Sequence, residues 1–146
     1  GYNISYDLSI LEYELRRHNL PTLADRTGGS VRPVIDTFVL DKATDRYRKG
    51  SRKLIDTCAH YGVRLDGAHD AAFDAIAAAR LAWVIVRGDE RLRESSLDEL
   101  HDAQVGWRRE QCESLQVYFA KQGKPQAVDS CWPICFGHVA DSAVAS

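Results

Sequence analysis

The sequence predicts a mostly helical globular chain with one short strand. Three observations carry that prediction. Residues 71–87 are rich in alanine, carry Ile76, Leu81, Trp83, Val84 and Ile85, and stop at Gly88. They read as a regular helix that is apolar on most sides and therefore central. Ser96-Leu97-Asp98-Glu99 matches a capping box, and a long helix follows over 97–122, with Gly123 and Pro125 as stop signals. Val34-Ile35-Asp36, with Pro33 at its first position, reads as the strand.

The bulk numbers fit one domain with a real core: 146 residues, 45% hydrophobic and 27% charged. A net charge of −2 excludes a polyelectrolyte binder, so any affinity for nucleic acid must come from a local patch. No apolar run is long enough for a transmembrane helix, no membrane partner is expected, and no secretory signal is visible. The chain lacks methionine and opens inside a motif, so it reads as a fragment whose natural start lies upstream. Cys58 and Cys112 fall inside predicted helices and read as small core residues. Cys131 and Cys135, with His138 beyond them, lack a second well-spaced ligand pair for zinc and read as free thiols in a loose tail. A reducing cytoplasm is the expected location.

In chain order, residues 6–18 form the first predicted helix, with Leu8, Leu11 and Leu15 on one face. Asp7 falls in its first turn, Asn19 caps it and Pro21 stops it. Residues 21–32 read as loop. Its Gly28-Gly29 pair has no flanking strand and helix arranged for phosphate binding. Residues 37–43 predict a helical turn carrying Phe38, Val39 and Leu40.

Residues 42–53 are locally basic: Lys42, Arg46, Arg48, Lys49, Arg52 and Lys53 stand against Asp45, with Tyr47 among them. Such a patch either holds a phosphate backbone or is a solvated face. Ser51 suits an N-cap for a helix through Leu54, Ile55, Cys58 and Ala59 that Gly62 ends. On the last helix, Leu97, Leu100, Trp107, Leu115 and Tyr118 predict one apolar stripe, and His101, Arg108, Arg109 and Glu110 suit the exposed side. The tail from Ala127 has little periodicity, and Trp132-Pro133-Ile134 is the part expected to pin it to the body.

Two short patterns carry chemistry. Asn3-x-x-Tyr6-Asp7 and His69-x-Ala71-x-x-Asp74 each put an aspartate near the start of a predicted helix, where the helix dipole favours a carboxylate. His69 and Asp74 cannot share a helix face at their spacing, so His69 is expected on the loop after the Asp66-Gly67 turn. The order N-x-x-[FY]-D, then a strand and a helix, then H-x-A-x-x-D resembles the DEDDh family of 3′–5′ exonucleases. Within that family it is similar to the proofreading, epsilon-type subunits of bacterial replicative DNA polymerase III and their free-standing relatives.

The likeness covers residues 1–90, with residues 91–146 as a long helix and tail packed on the same domain. It implies an α/β, ribonuclease-H-like fold, present here as a mostly helical C-terminal portion that lacks the first strands of the sheet. Residues 33–41 and 51–62 would be the family's intervening strand and its helix, the latter carrying Leu54 and Cys58. The family's first motif, Asp-x-Glu, has no equivalent in the sequence and is expected upstream of Gly1.

The resemblance implies metal-dependent hydrolysis of terminal phosphodiesters in single-stranded DNA or short RNA. Two Mg²⁺ or Mn²⁺ ions in the complete site stabilise charge on the attacking and leaving oxygens. Such hard ions suit the oxygens of Asp7 and Asp74. His69 would be the general base. Asn3 would support the motif's turn or touch the terminal nucleotide, and Tyr6 would be core or lie under the terminal base. Arg46 and Lys49 are the candidate contacts to the phosphate backbone. With half of the acidic tetrad, the chain alone is expected to be inactive. The implied partners are a single-stranded 3′ end and a DNA polymerase. The competing reading is a non-catalytic nucleic-acid or polymerase-interaction module on the same fold.

Overall fold

The computed structural model describes residues 1–65, 67 and 70–135. Among the described residues the elements are α1 (Ile4–Arg17), α2 (Leu23–Arg26), α3 (Thr37–Thr44), α4 (Leu54–His60), α5 (Ala71–Gly88), α6 (Glu90–Glu94) and α7 (Leu97–Lys121). Side chains fix several starts. Ser96 and Glu99 form the expected capping box on α7, and Thr22 with Asp25 forms a second on α2. Asp70 caps α5 through Ala72 N. The start of α4 differs from expectation: Lys53 is its N-cap, while Ser51 Oγ accepts from Lys53 N.

Four ends share one device. Asn19, Gly28, Gly62 and Gly123 have positive φ, and in each case the next residue's N–H returns to a carbonyl in the last turn. That is the Schellman arrangement, which needs a residue that tolerates the left-handed region.

The ribonuclease-H-like α/β expectation is corrected: among the described residues there is no strand and no sheet. Residues 34–36 are extended, but both their edges are taken. On one edge Gly1 N donates to Ile35 O at 2.9 Å, and Thr37 N donates to Gly1 O at 2.9 Å. On the other edge Val34 N donates to His101 Nδ1 at 3.0 Å. Asp36 N donates to Gln104 Oε1 at 2.7 Å, and Gln104 Nε2 donates to Val34 O at 3.0 Å. Two side chains of α7 stand where a neighbouring strand would pair.

This explains a second departure. The inner face of α7 meets backbone, so it buries His101 and Gln104 beside Leu100 and Cys112. Of the expected apolar stripe, Leu97, Leu115 and Tyr118 are exposed, and His101 is buried instead of facing solvent. Polar residues inside are the complement of unpaired peptide groups.

α5 organises the core but buries one face only. Ala77, Ala78, Leu81 and Ile85 are inside, whereas Phe73, Ile76, Val84 and Trp83, the last 65% exposed, are not. Leu40, Ile85, Leu92 and Leu100 form one buried cluster, and Cys58, Ala77 and Leu81 form another, with Tyr61 packed against both. The tail is not loose up to its described end. Trp132 is buried against the His101 ring at 4.9 Å, and Cys131 and Cys135 form a disulfide instead of standing as free thiols. Cys58 and Cys112 are buried free thiols. His138 lies outside the described residues.

His101 has a pKa below its ordinary 6.5, first through burial and then through the charge of Arg32. As pH falls through about 6.5, the unfolded chain takes a proton that the folded chain resists. The stabilising contribution of neutral His101 is therefore complete above that pH and is lost between it and the lower folded value. Melting curves from about pH 7.5 down to about pH 5 should show Tm falling, and His101→Gln should flatten the slope. Equal slopes in the two proteins would assign the acid sensitivity to other groups.

Candidate functional site

The start of α1 is built by a residue far away in sequence. Asn3 adopts φ 52°, a left-handed conformation that asparagine tolerates better than most residues. Its own side chain makes no cap hydrogen bond. Instead Asp36 accepts from Asn3 N at 2.7 Å and Ile4 N at 3.0 Å. The same carboxylate accepts from Phe38 N at 3.0 Å, capping α3, and from Trp132 Nε1 at 3.4 Å. The turn at Asn3 is held through its backbone N–H. Tyr6 is 68% exposed, so it is not a core residue.

Asp7 sits in the first turn of α1 and is exposed. It lies close enough to the Gly1 ammonium to raise its pKa, although burial, the larger effect, pulls that group down. Asp74 sits in the first turn of α5 and is half-buried. Its neighbour is Cys58, whose thiol is pushed up by burial first and by the Asp74 carboxylate second. Among the described residues neither aspartate is held in an ion pair.

The segments that carry the two aspartates are tied together. Thr37 Oγ1 lies 3.0 Å from both Gly1 O and Ala78 O, so one hydroxyl bridges the residues before α1 and the middle of α5. Tyr2 reinforces the tie. Its hydroxyl meets Thr57 Oγ1 at 2.7 Å and Arg52 O at 2.6 Å, and its ring stands edge-on to Phe38 and packs on the Cys58, Ala77 and Leu81 cluster. His69 and Asp66 lie outside the described residues.

The basic stretch is divided by burial. Asp41 is fully buried and accepts two bonds from Arg48 Nη2, at 2.8 and 2.6 Å, and one from Arg52 Nη1 at 2.7 Å. Those guanidinium groups are structural. Lys42 is half-buried over the Phe38 ring, and burial is the main cause of its lowered pKa. Arg46, Lys49 and Lys53 remain exposed. Arg46 lies near Tyr47 and Ser114 on a cleft of about 310 Å³ between α3 and α7, which Lys42, Trp107 and Gln111 also line.

Sequence reasoning missed Asp36 and Asp41. The available signal was an aspartate inside the apolar run 34–41, where a carboxylate must find partners. Among the described residues, the group of three metal-capable side chains within 4.8 Å of one another is Asp129, Cys131 and Cys135, none of them a side chain of the two motifs.

Asp41→Ala leaves two guanidinium groups buried without their carboxylate and should cost about 3–5 kcal/mol in urea unfolding. Lys49→Ala should change stability by no more than about 0.5 kcal/mol. A loss below about 1 kcal/mol for Asp41→Ala would mean that Arg48 and Arg52 find other partners.

Compared with known proteins, the chain matches no family model, no curated protein and no solved structure, so the exonuclease likeness rests on its two motifs.

Proposed function

We propose that this chain supplies Asp7, Asp74 and His69 to the active site of a metal-dependent 3′–5′ exonuclease acting on single-stranded DNA or short RNA. The observation that supports it best is the placement of both motif aspartates in the first turns of helices whose adjoining segments are joined through Thr37. Two carboxylates free of ion pairs among the described residues fit hard divalent cations, which take oxygen ligands. Asp7 and Asp74 would hold Mg²⁺ or Mn²⁺. Two such ions, when bound, stabilise charge on the attacking and leaving oxygens.

The chain's own residues supply the rest. His69 takes the proton of the attacking water. Asp36 holds the turn at Asn3, which sets the direction of Asp7. Exposed Tyr6 offers a flat ring to the terminal base, and Arg46 and Lys49 offer charge to the phosphate backbone. The sequence contains no Asp-x-Glu, so two further carboxylates must come from outside these 146 residues, and the chain alone is inactive. The partner of such an enzyme is a DNA polymerase and its setting the cytoplasm. No helix among the described residues is long and apolar enough to cross a membrane. The missing Asp-x-Glu favours a second reading, a non-catalytic module that binds nucleic acid or a polymerase.

The natural protein that contains this chain, given 5′-labelled single-stranded DNA and Mn²⁺, should shorten it stepwise from the 3′ end. Asp74→Ala should abolish that activity. Binding without shortening, on DNA and on short RNA alike, would leave the non-catalytic module standing. His69→Ala should lower turnover by about 10²–10⁴ with metal affinity unchanged, and should remove the acidic limb of the pH–rate profile.

Arg46→Ala combined with Lys49→Ala should weaken single-strand binding. It should also reduce the salt slope by about 0.7 for each phosphate that is no longer neutralised. An unchanged slope would return both residues to a solvated face.

A further inference from the structure

The loop that closes the described chain is fastened on three sides. Cys112 Sγ, on α7, lies 3.4 Å from Asp129 O. Trp132 reaches Asp36. Cys135 N donates to Ser9 Oγ at 2.7 Å, and Ser5 Oγ lies 3.4 Å from Cys135 Sγ, both serines being on α1. Inside this frame the disulfide joins Cys131, which is half-buried, to Cys135, which is buried. The Asp129 carboxylate accepts from Cys131 N at 2.9 Å, which turns it toward the sulfurs, and it stays exposed to solvent. One oxygen of Asp129 and the two sulfurs lie within 4.8 Å of one another.

We infer that, once the disulfide is reduced, Asp129, Cys131 and Cys135 bind one thiophilic divalent ion of the Zn²⁺ type, so that the loop is closed either by a disulfide or by a metal. Thiolate and carboxylate are both zinc ligands, and three of them leave a fourth position to water at the exposed Asp129 side. Sulfurs on a tetrahedral zinc stand about 3.8 Å apart, given Zn–S bonds of about 2.3 Å. Rotation about the side-chain bonds gives that separation at the observed Cα–Cα distance of 5.4 Å. Outer partners are in place as well: Ser5 Oγ can donate to Cys135 Sγ, and the Cys131 amide orients Asp129.

The chemistry balances with a dithiol as reductant. A dithiol thiolate attacks the more accessible Cys131 sulfur, and Cys135 leaves as a thiolate. The second thiol of the reductant then closes its own disulfide and releases Cys131. Two electrons pass from the dithiol to the cysteines, and two protons are left for the pair. Metal binding to both sulfurs and the carboxylate releases those protons to solvent. Because each sulfur can bond either its partner or the ion, exchange with an oxidised dithiol, which takes up the two electrons as its own disulfide is reduced, re-forms the Cys131–Cys135 bond and expels the metal.

The full chain is reduced with dithiothreitol, freed of it by gel filtration without oxygen, and titrated with Zn²⁺ against a chromogenic chelator. One equivalent should bind, and the oxidised chain should take none at that site. Cys131→Ser should weaken binding by at least about 100-fold, and Asp129→Asn by about 10-fold. Co²⁺ in place of Zn²⁺ should give a sulfur-to-metal charge-transfer band that Cys131→Ser reduces. If Cys131→Ser loses its fold by circular dichroism, the exposed Asp129→Asn decides. Equal affinity of the reduced and oxidised chains overturns the inference, as does a cobalt spectrum without a thiolate band or no effect of Asp129→Asn.

Discussion

A single buried carboxylate, that of Asp36, fixes where α1 begins, where α3 begins and where the tail docks. It is met by three backbone N–H groups and one indole N–H, while its own amide is met by Gln104. A carboxylate so deep inside is tolerable because oriented dipoles surround it. Helix starts leave N–H groups without partners, and here one side chain serves two such starts at once. Asn3 can then take its left-handed turn, because the energy of capping does not depend on its own side chain. The bearing of Asp7 follows from that turn, so the candidate site inherits its geometry from a residue that is not part of it.

The interior is accordingly more polar than a helical protein of this size needs for packing alone. The extended segment between α2 and α3 is wrapped by His101 and Gln104 on one side and by Gly1 on the other. Asp41 and its two arginines fasten α3 to the loop that follows it and to the chain just before α4. Each arrangement leaves few groups unpaired and ties together segments that are distant in sequence. Apolar contacts centred on α5 supply the bulk of the core, and these polar joints set its orientation.

Periodicity and caps made most helices legible. α1, α5 and α7 each have apolar residues at helical spacing and a stop signal in sequence, although α1 buries Ser5, Ser9 and Glu12 and α7 buries His101 and Gln104, and Ser96 with Glu99 marked the start of α7. α2, of four residues, is too short for any period to show. The strand expected at Val34 and Ile35 has the right residue types, but pairing is a property of neighbours, and here the neighbours are side chains of α7. Charge density is visible in sequence, whereas the burial that commits Arg48 and Arg52 to Asp41 is not. Trp132-Pro133-Ile134 was legible as an anchor because it is a short apolar run in a tail with little periodicity. The pairing of Cys131 with Cys135 needed coordinates. For the candidate site, the two aspartates were readable as motif members, and the scaffold that holds them was not.

The reach of Asp36 also bears on the order in which the molecule assembles. Its partners lie 33, 68 and 96 residues away, whereas every helix turn closes over a few residues. Short loops close early and long ones late, because the entropy of closure grows with length. The helices are thus available before the joints that orient them. The start of α1, the extended segment, α7 and the Trp132 loop all meet at Asp36, so they are expected to come into register together. The amides of Asn3 and Asp36, whose hydrogens those joints cover, belong to the same unit and open with it.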